Sequence, residues 1–256
     1  MDKIYLIYFS ATANTRTILK KIAEGTGIND ITEIDITPPK SRIDADINIE
    51  QNALVLFGAP VYMGRVQKDA LSFIAKIKGQ GQNAVAVVTY GNRAYEDALL
   101  ELSDTLATNN FDVLAAAAFI GQHSFTDKTI EIAAGRPDKD DLDAALKFGK
   151  DIIEKISSGK KEKIQVPGNS PYKKLQTMPK MAPVKTNKCI NCGTCAAICP
   201  VGAIDNNAVG DKNKCIVCFA CIKYCPNDSR EMRNMLLKVA RKRLTKGPKK
   251  QPELFI

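Results

Sequence analysis

Tryptophan is absent from this chain of 256 residues, and histidine occurs once, at position 123. The first 188 residues hold no cysteine. That stretch must therefore fold by apolar burial, for which the 45% hydrophobic content is ample. No run approaches the roughly 18 consecutive apolar residues of a membrane-crossing helix. The opening run KIYLIYF is β-branched and aromatic, which suits a buried strand, and it has no export signal before it. Disulfides are thereby disfavoured, and a cytoplasmic, reduced protein is expected. No Gly-Lys-Ser/Thr loop and no G-x-G-x-x-G follows the first strand-like run, which argues against an NTP site and against a Rossmann dinucleotide site.

The cysteines that do occur are concentrated. All eight fall between Cys189 and Cys225, in CINCGTCAAICP (189–200) and CIVCFACIKYCP (215–226), two runs of identical spacing. C-x2-C-x2-C-x3-C-P is the bacterial ferredoxin run, in which the fourth cysteine ligates the other cluster. Three thiolates one short turn apart can each reach a different iron of a cubane, while the fourth points away. Cross-ligation assigns Cys189, Cys192, Cys195 and Cys225 to cluster I and Cys215, Cys218, Cys221 and Cys199 to cluster II. Zinc held by paired C-x2-C units fits poorly, because each run carries three close cysteines and a fourth before proline. Pro200 and Pro226 end the helical turns and leave backbone N–H groups for cluster sulfurs.

Charge divides the chain in the same place. Residues 1–155 hold 17 basic and 22 acidic side chains, whereas residues 156–256 hold 20 and 6, within an overall +9. The basic RKRLTKGPKK (241–250) has no aromatic residues for base stacking, so nucleic acid is not expected as a partner.

Apolar runs at 3–9, 31–36, 53–58, 84–89 and 112–120 alternate with helix-spaced segments at 15–26, 67–78, 94–109 and 139–157. Nearly unbroken apolar strands suit a parallel sheet covered on both faces. The expected fold class is α/β, a doubly wound five-stranded sheet in the order 2-1-3-4-5, followed by a smaller α+β module. Domains are expected at 1–157, then an extended linker at 158–187, the cysteine module at 188–228, and a basic helix and tail at 229–256. Val166, Tyr172, Leu175 and Met178 suggest that the linker lies along a domain surface. Met232, Met235, Leu236, Val239 and Ala240 form the apolar stripe of the basic helix, which is expected to pack on the protein's own domains.

A 2-1-3-4-5 sheet gathers four loops at one edge: SATANT (10–15), GAPVYMGR (58–65), TYGNRAY (89–95) and GQHS (121–124). Ser10, Thr12, Asn14 and Thr15 at a helix start suit a phosphate nest, although such a turn also serves simply as a helix cap.

FSATANT, GAPVYMGR, TYGNRAYEDALLEL and AAGRPDKDDLDAALKFGKDI resemble the flavodoxin-like half of the flavodoxin-ferredoxin fusion proteins of anaerobes, with both halves in the same order. The resemblance implies one FMN and two 4Fe-4S clusters. It implies a phosphate loop at Ser10, Thr12, Ala13, Asn14 and Thr15. Pro60, Val61, Tyr62, Met63 and Gly64 match the first isoalloxazine loop, and Thr89, Tyr90, Gly91, Asn92 and Tyr95 the second. Ala13 departs from the family's Thr-Gly-Asn-Thr, so a positive φ there would be strained and weaken FMN binding. Without tryptophan, flavin stacking falls to Tyr62, Tyr90 or Tyr95. His123 is either a proton donor to the flavin or an ordinary hydrogen-bonded loop residue. The expectation is an electron-transfer protein relaying electrons between FMN and the clusters and exchanging them with redox partner proteins. An FMN-dependent reductase of NAD(P)H, quinones, nitro compounds or oxygen is the alternative, and a homodimer is left open.

Overall fold

Residues 1–43, 47–127, 129–159, 162–176, 180–247 and 251–256 are described in the computed structural model, with backbone only at 235, 236 and 238. Met178 and the side chains of Met235 and Leu236 lie outside the described residues. The first half alternates strands β1 (Lys3–Tyr8), β2 (Asp30–Asp35), β3 (Leu54–Tyr62), β4 (Arg65–Val66), β5 (Asn83–Tyr90) and β6 (Asp112–Ile120) with helices α1 (Asn14–Thr26), α2 (Lys68–Ile74), α3 (Ala98–Thr108) and α4 (Lys139–Ser157). β2, β1, β3, β5 and β6 are parallel neighbours in that order, which is the expected 2-1-3-4-5.

Alternate strand residues serve opposite faces. Ile4, Leu6 and Tyr8 of β1 pack with Ile18, Leu19 and Ile22 of α1 and Phe148 of α4. Tyr5, Ile7 and Phe9 pack on the other face with Phe73 of α2 and Leu99 and Leu102 of α3. Because both faces are covered, β1, β3, β5 and β6 are largely apolar, whereas β2 at the sheet edge, DITEID, is mostly exposed. Asp138 caps α4 in a reciprocal capping box with Asp141, which is itself fully buried and paired with Arg136.

The second half is smaller. It contains the β7 (Val184–Lys185)–β8 (Arg230–Glu231) pair, the single-turn helices α5 (Thr194–Ala197) and α6 (Ala220–Lys223), and the longer α7 (Met235–Leu244). The chain then departs from a purely parallel five-stranded sheet: β9 (Glu253–Phe255) pairs antiparallel with Ala116–Ala118 of β6. β6 would otherwise end the sheet as an unpaired edge, and Glu253 also accepts the Tyr95 hydroxyl at 2.6 Å.

The linker is anchored along α3. Asn169 N and Lys173 N donate to the buried Asp97 carboxylate at 2.9 and 2.6 Å, and the Tyr172 hydroxyl donates to Asp104 at 2.6 Å. Side chains also join the halves directly. Arg42 Nη2 donates to Pro200 O at 2.5 Å, Lys223 Nζ donates to Thr12 O at 2.7 Å, and Arg241 pairs with Asp127.

Candidate cofactor sites

A cavity of about 750 Å³ opens at the carboxyl ends of β1, β3, β5 and β6. That size is ordinary for a cofactor pocket. Ser10, Thr12, Asn14 and Thr15 line it from the β1–α1 loop, Pro60 to Gly64 from β3 onward, and Thr89, Tyr90 and Gly91 from the end of β5.

In the β1–α1 loop, three of the four polar side chains are already engaged. Ser10 Oγ accepts from Arg16 N at 3.1 Å, Asn14 Nδ2 donates to Gln122 O at 3.0 Å, and the Thr15 hydroxyl meets that of Thr89 at 2.7 Å. These bonds hold the loop in shape. They leave the Thr12 hydroxyl and the N–H groups of Asn14 and Thr15 at the start of α1 available to an anion. The turn requires a left-handed residue at Ala13, φ 71°, ψ −11°.

Two glycines make the other loops possible. A Cβ on Gly64, at φ +84°, would lie 2.0 Å from Glu96 Oε2, and one on Gly91 would lie 2.4 Å from the His123 ring. Tyr62 is half-buried in the cavity wall; burial, followed by the nearby Cys218 and Cys215, pushes its hydroxyl well above its ordinary pKa. Tyr90 also lines the cavity, but its ring packs edge-on against Tyr95 at 5.5 Å. Its hydroxyl is buried with no hydrogen-bond partner among the described residues.

Three of the residues expected here do not line the cavity. Ala13 turns its N–H back to Ser10 O, Asn92 donates to Leu244 O at 2.6 Å, and Tyr95 is drawn off by Glu253 of β9. The last two are taken by the C-terminal segment, whose course could not be read from the loop motifs.

His123 does line the cavity. Its Nδ1 accepts from Phe125 N at 3.0 Å, which places the ring proton on Nε2. Burial first, then the charges of Arg241 and Arg93, push its pKa down to about 4, so the ring is neutral at physiological pH.

Other parts of the wall carry no flavin-loop motif. Val239, Ala240, Arg243 and Leu244 of α7 line it, as do Ile216 and Val217 from between Cys215 and Cys218. The charged lining residues Arg93, Lys173 and Arg243 are all basic, and Arg93 and Lys173 share Glu96. The cysteine spacing marks where Ile216 and Val217 lie, but nothing in it says which surface they face.

All eight cysteines are free thiols. Cys189, Cys192, Cys195 and Cys225 border one small cavity, and Cys199, Cys215, Cys218 and Cys221 border a second. Each set therefore combines three cysteines of one run with the fourth of the other. Among the described residues no three His, Cys, Asp or Glu side chains gather as ligands of a single metal ion would; the thiols surround a space instead. Backbone N–H groups already point at sulfur: Ala203 N to Cys199 at 3.2 Å, Val217 N to Cys215 at 3.4 Å and Ser229 N to Cys225 at 3.2 Å. Asn191, Val217 and Phe219 hold left-handed φ of 52°, 56° and 59°, strain that bends the chain around these spaces. Four soft sulfur donors with N–H groups directed at them fit a cubane iron-sulfur cluster. The first cavity, with its anion-ready loop, glycines and aromatic wall, fits a flavin phosphate ester.

A family model described as flavodoxin domain matches residues 5–163, and one described as 4Fe-4S binding domain matches residues 182–205. An uncharacterised protein of Methanocaldococcus jannaschii is 29% identical over 145 residues, which is 55% of this chain and 90% of its own. A solved flavodoxin from the domain Archaea shares 17% identity over 60% of this chain and 99% of its own, with a TM-score of 0.44. Oxidised flavodoxin 1 of Bacillus cereus shares 19% over 59% of this chain and 97% of its own, also with a TM-score of 0.44. No helix among the described residues is long and apolar enough to cross a membrane. With the matched model spanning most of its length, the chain belongs to the flavodoxin-domain family, and a 4Fe-4S binding domain follows in the same polypeptide.

Proposed function

We propose that this protein relays electrons between an FMN held in the large cavity and two 4Fe-4S clusters held by the eight cysteines, exchanging them with redox partner proteins. When bound, the flavin supplies a centre that takes electrons singly or in pairs, and each cluster supplies one that passes them singly.

The observation that carries the reading is Ile216, which borders both the flavin cavity and the cavity of Cys199, Cys215, Cys218 and Cys221. One residue's thickness separates the two spaces. Cys218 and Ala220 belong to the apolar cluster against which Val61 and Tyr62 of the flavin loop pack, so the sites are joined by apolar contact. A second contact crosses nearby: Phe125 lines the flavin cavity, Phe219 lines the cysteine cavity, and their rings lie 5.0 Å apart. The set containing Cys199 is thus the inner cluster. The set containing Cys192, whose thiol is exposed, faces outward to partners.

Within the flavin site, the β1–α1 loop binds the phosphate, Tyr62 and the glycine loops orient the ring, and His123 offers a neutral Nε2–H. α7 forms part of the wall and narrows the approach of an outside substrate, which favours a carrier over a reductase. We infer a cytoplasmic location, where thiols stay reduced.

Stopped-flow reduction of the holoprotein by a one-electron donor tests the relay. Flavin reduction should follow cluster reduction at a rate independent of protein concentration. A rate proportional to concentration would mean that electrons pass between molecules and would refute an internal relay.

A further inference from the structure

Arg230 is 4% exposed and borders the cavity of Cys189, Cys192, Cys195 and Cys225. Its Nη1 donates to Ala208 O at 2.8 Å and reaches Cys195 Sγ of the outer set at 3.6 Å. Its Nη2 donates to Pro183 O at 2.7 Å, and Cys195 and Ala208 pack in one cluster with Cys221 of the inner set. Nε is buried with no hydrogen-bond partner, and no carboxylate pairs with this side chain among the described residues. A guanidinium keeps its charge at any physiological pH. Burying one without a counter-charge is among the costliest arrangements a fold can hold, and two neutral carbonyls do not repay it.

The missing counter-charge lies on either side. A cubane with four thiolates is net negative, and reduction by one electron adds one further negative charge. Resting on the two-cluster reading above, we propose that Arg230 is the shared counter-charge of the two clusters, a tuning residue that favours the reduced state of both. Its Nη1 meets Cys195 Sγ of the outer set, and Cys221 of the inner set packs against that same cysteine, so the buried charge acts on both couples together, as a surface lysine screened by water would not.

The test is an electron paramagnetic resonance-monitored titration of the full-length holoprotein with dithionite, with iron and flavin counted on the same sample. Arg230→Met keeps the stem and removes the charge, while Arg230→Lys keeps the charge and loses the fork. In Arg230→Met, with iron content intact, the reduced-to-oxidised ratio of each cluster at a fixed potential should fall about tenfold, or 59 mV for a one-electron couple. Arg230→Lys should recover most of that shift, and the flavin couple should stay put. Intact iron with neither couple moved, or with only one moved, would show Arg230 to be a strut for the Ala208 and Pro183 carbonyls. If Arg230→Met fails to load iron, Arg230→Lys decides. Couples within threefold of the parent ratios uphold the charge role, and a tenfold loss overturns it. Failure of the parent protein to bind two clusters would instead sink the two-cluster reading itself.

Discussion

Replacing Ala13 by glycine separates strain paid on folding from strain paid on binding. Ala13 sits at φ 71°, ψ −11° at the start of α1. A left-handed conformation costs an L-residue about 1–2 kcal/mol, and glycine almost nothing. Glycine also frees the unfolded chain, which returns about 0.4–1 kcal/mol of that gain. The net stabilisation of Ala13→Gly is therefore about 0.5–1 kcal/mol, or a rise in Tm of about 1–4 °C for a chain of this size. The left-handed turn is held by the chain's own hydrogen bonds, since Ala13 N donates to Ser10 O and Thr17 N to Ala13 O. The cost therefore falls on folding, and FMN affinity should change less than threefold, contrary to the loss that the sequence alone suggests. Thermal melts and flavin fluorescence titrations check both parts. An unchanged or lower Tm would refute the strain argument. An affinity gain of tenfold or more would show that the loop takes this shape only when it binds.

The remaining predictions concern pH, the loops and the C-terminal strand. His123 titrates near 4 in the fold and near 6.5 unfolded, so the unfolded chain binds the extra proton in between, and stability should fall by about 1–2 kcal/mol as pH drops from 6.5 to 4. His123→Gln should flatten that slope in pH-resolved melts, and an equally steep slope in the variant would contradict the assignment. Gly64→Ala must displace Glu96 from Arg93 and Lys173 and adopt a left-handed φ, so FMN affinity should drop at least tenfold by fluorescence titration. Removing residues 251–256 takes away β9 and the acceptor of the Tyr95 hydroxyl, a loss of about 1–3 kcal/mol that calorimetry would read as a Tm lower by roughly 2–10 °C.

The sheet and the loops at its edge were legible because four nearly unbroken apolar runs and one alternating run at 31–36 mark the strands. The cysteine sets were legible for another reason: their spacing is a metric constraint that survives without any knowledge of the fold. β9 was not, since ELF (253–255) is too short to show a period and is defined by the bare edge of β6. Asn92 and Tyr95 read as flavin-loop residues because nothing local reveals that Leu244 and Glu253, more than 150 residues away, claim their side chains. Ile216 was invisible as a functional residue for the same reason, an ordinary isoleucine until the two halves dock. Arg230 is an ordinary arginine until the second half folds it against Cys195, 35 residues back.

An anaerobic reductive titration of the reconstituted protein, followed optically with flavin, iron and sulfide counted on the same sample, tests the central claim most directly. The account predicts one FMN with about eight irons per chain, and electrons that redistribute between flavin and clusters within the mixing time at every step. Iron without flavin, or flavin and clusters that titrate without exchanging electrons, would contradict it.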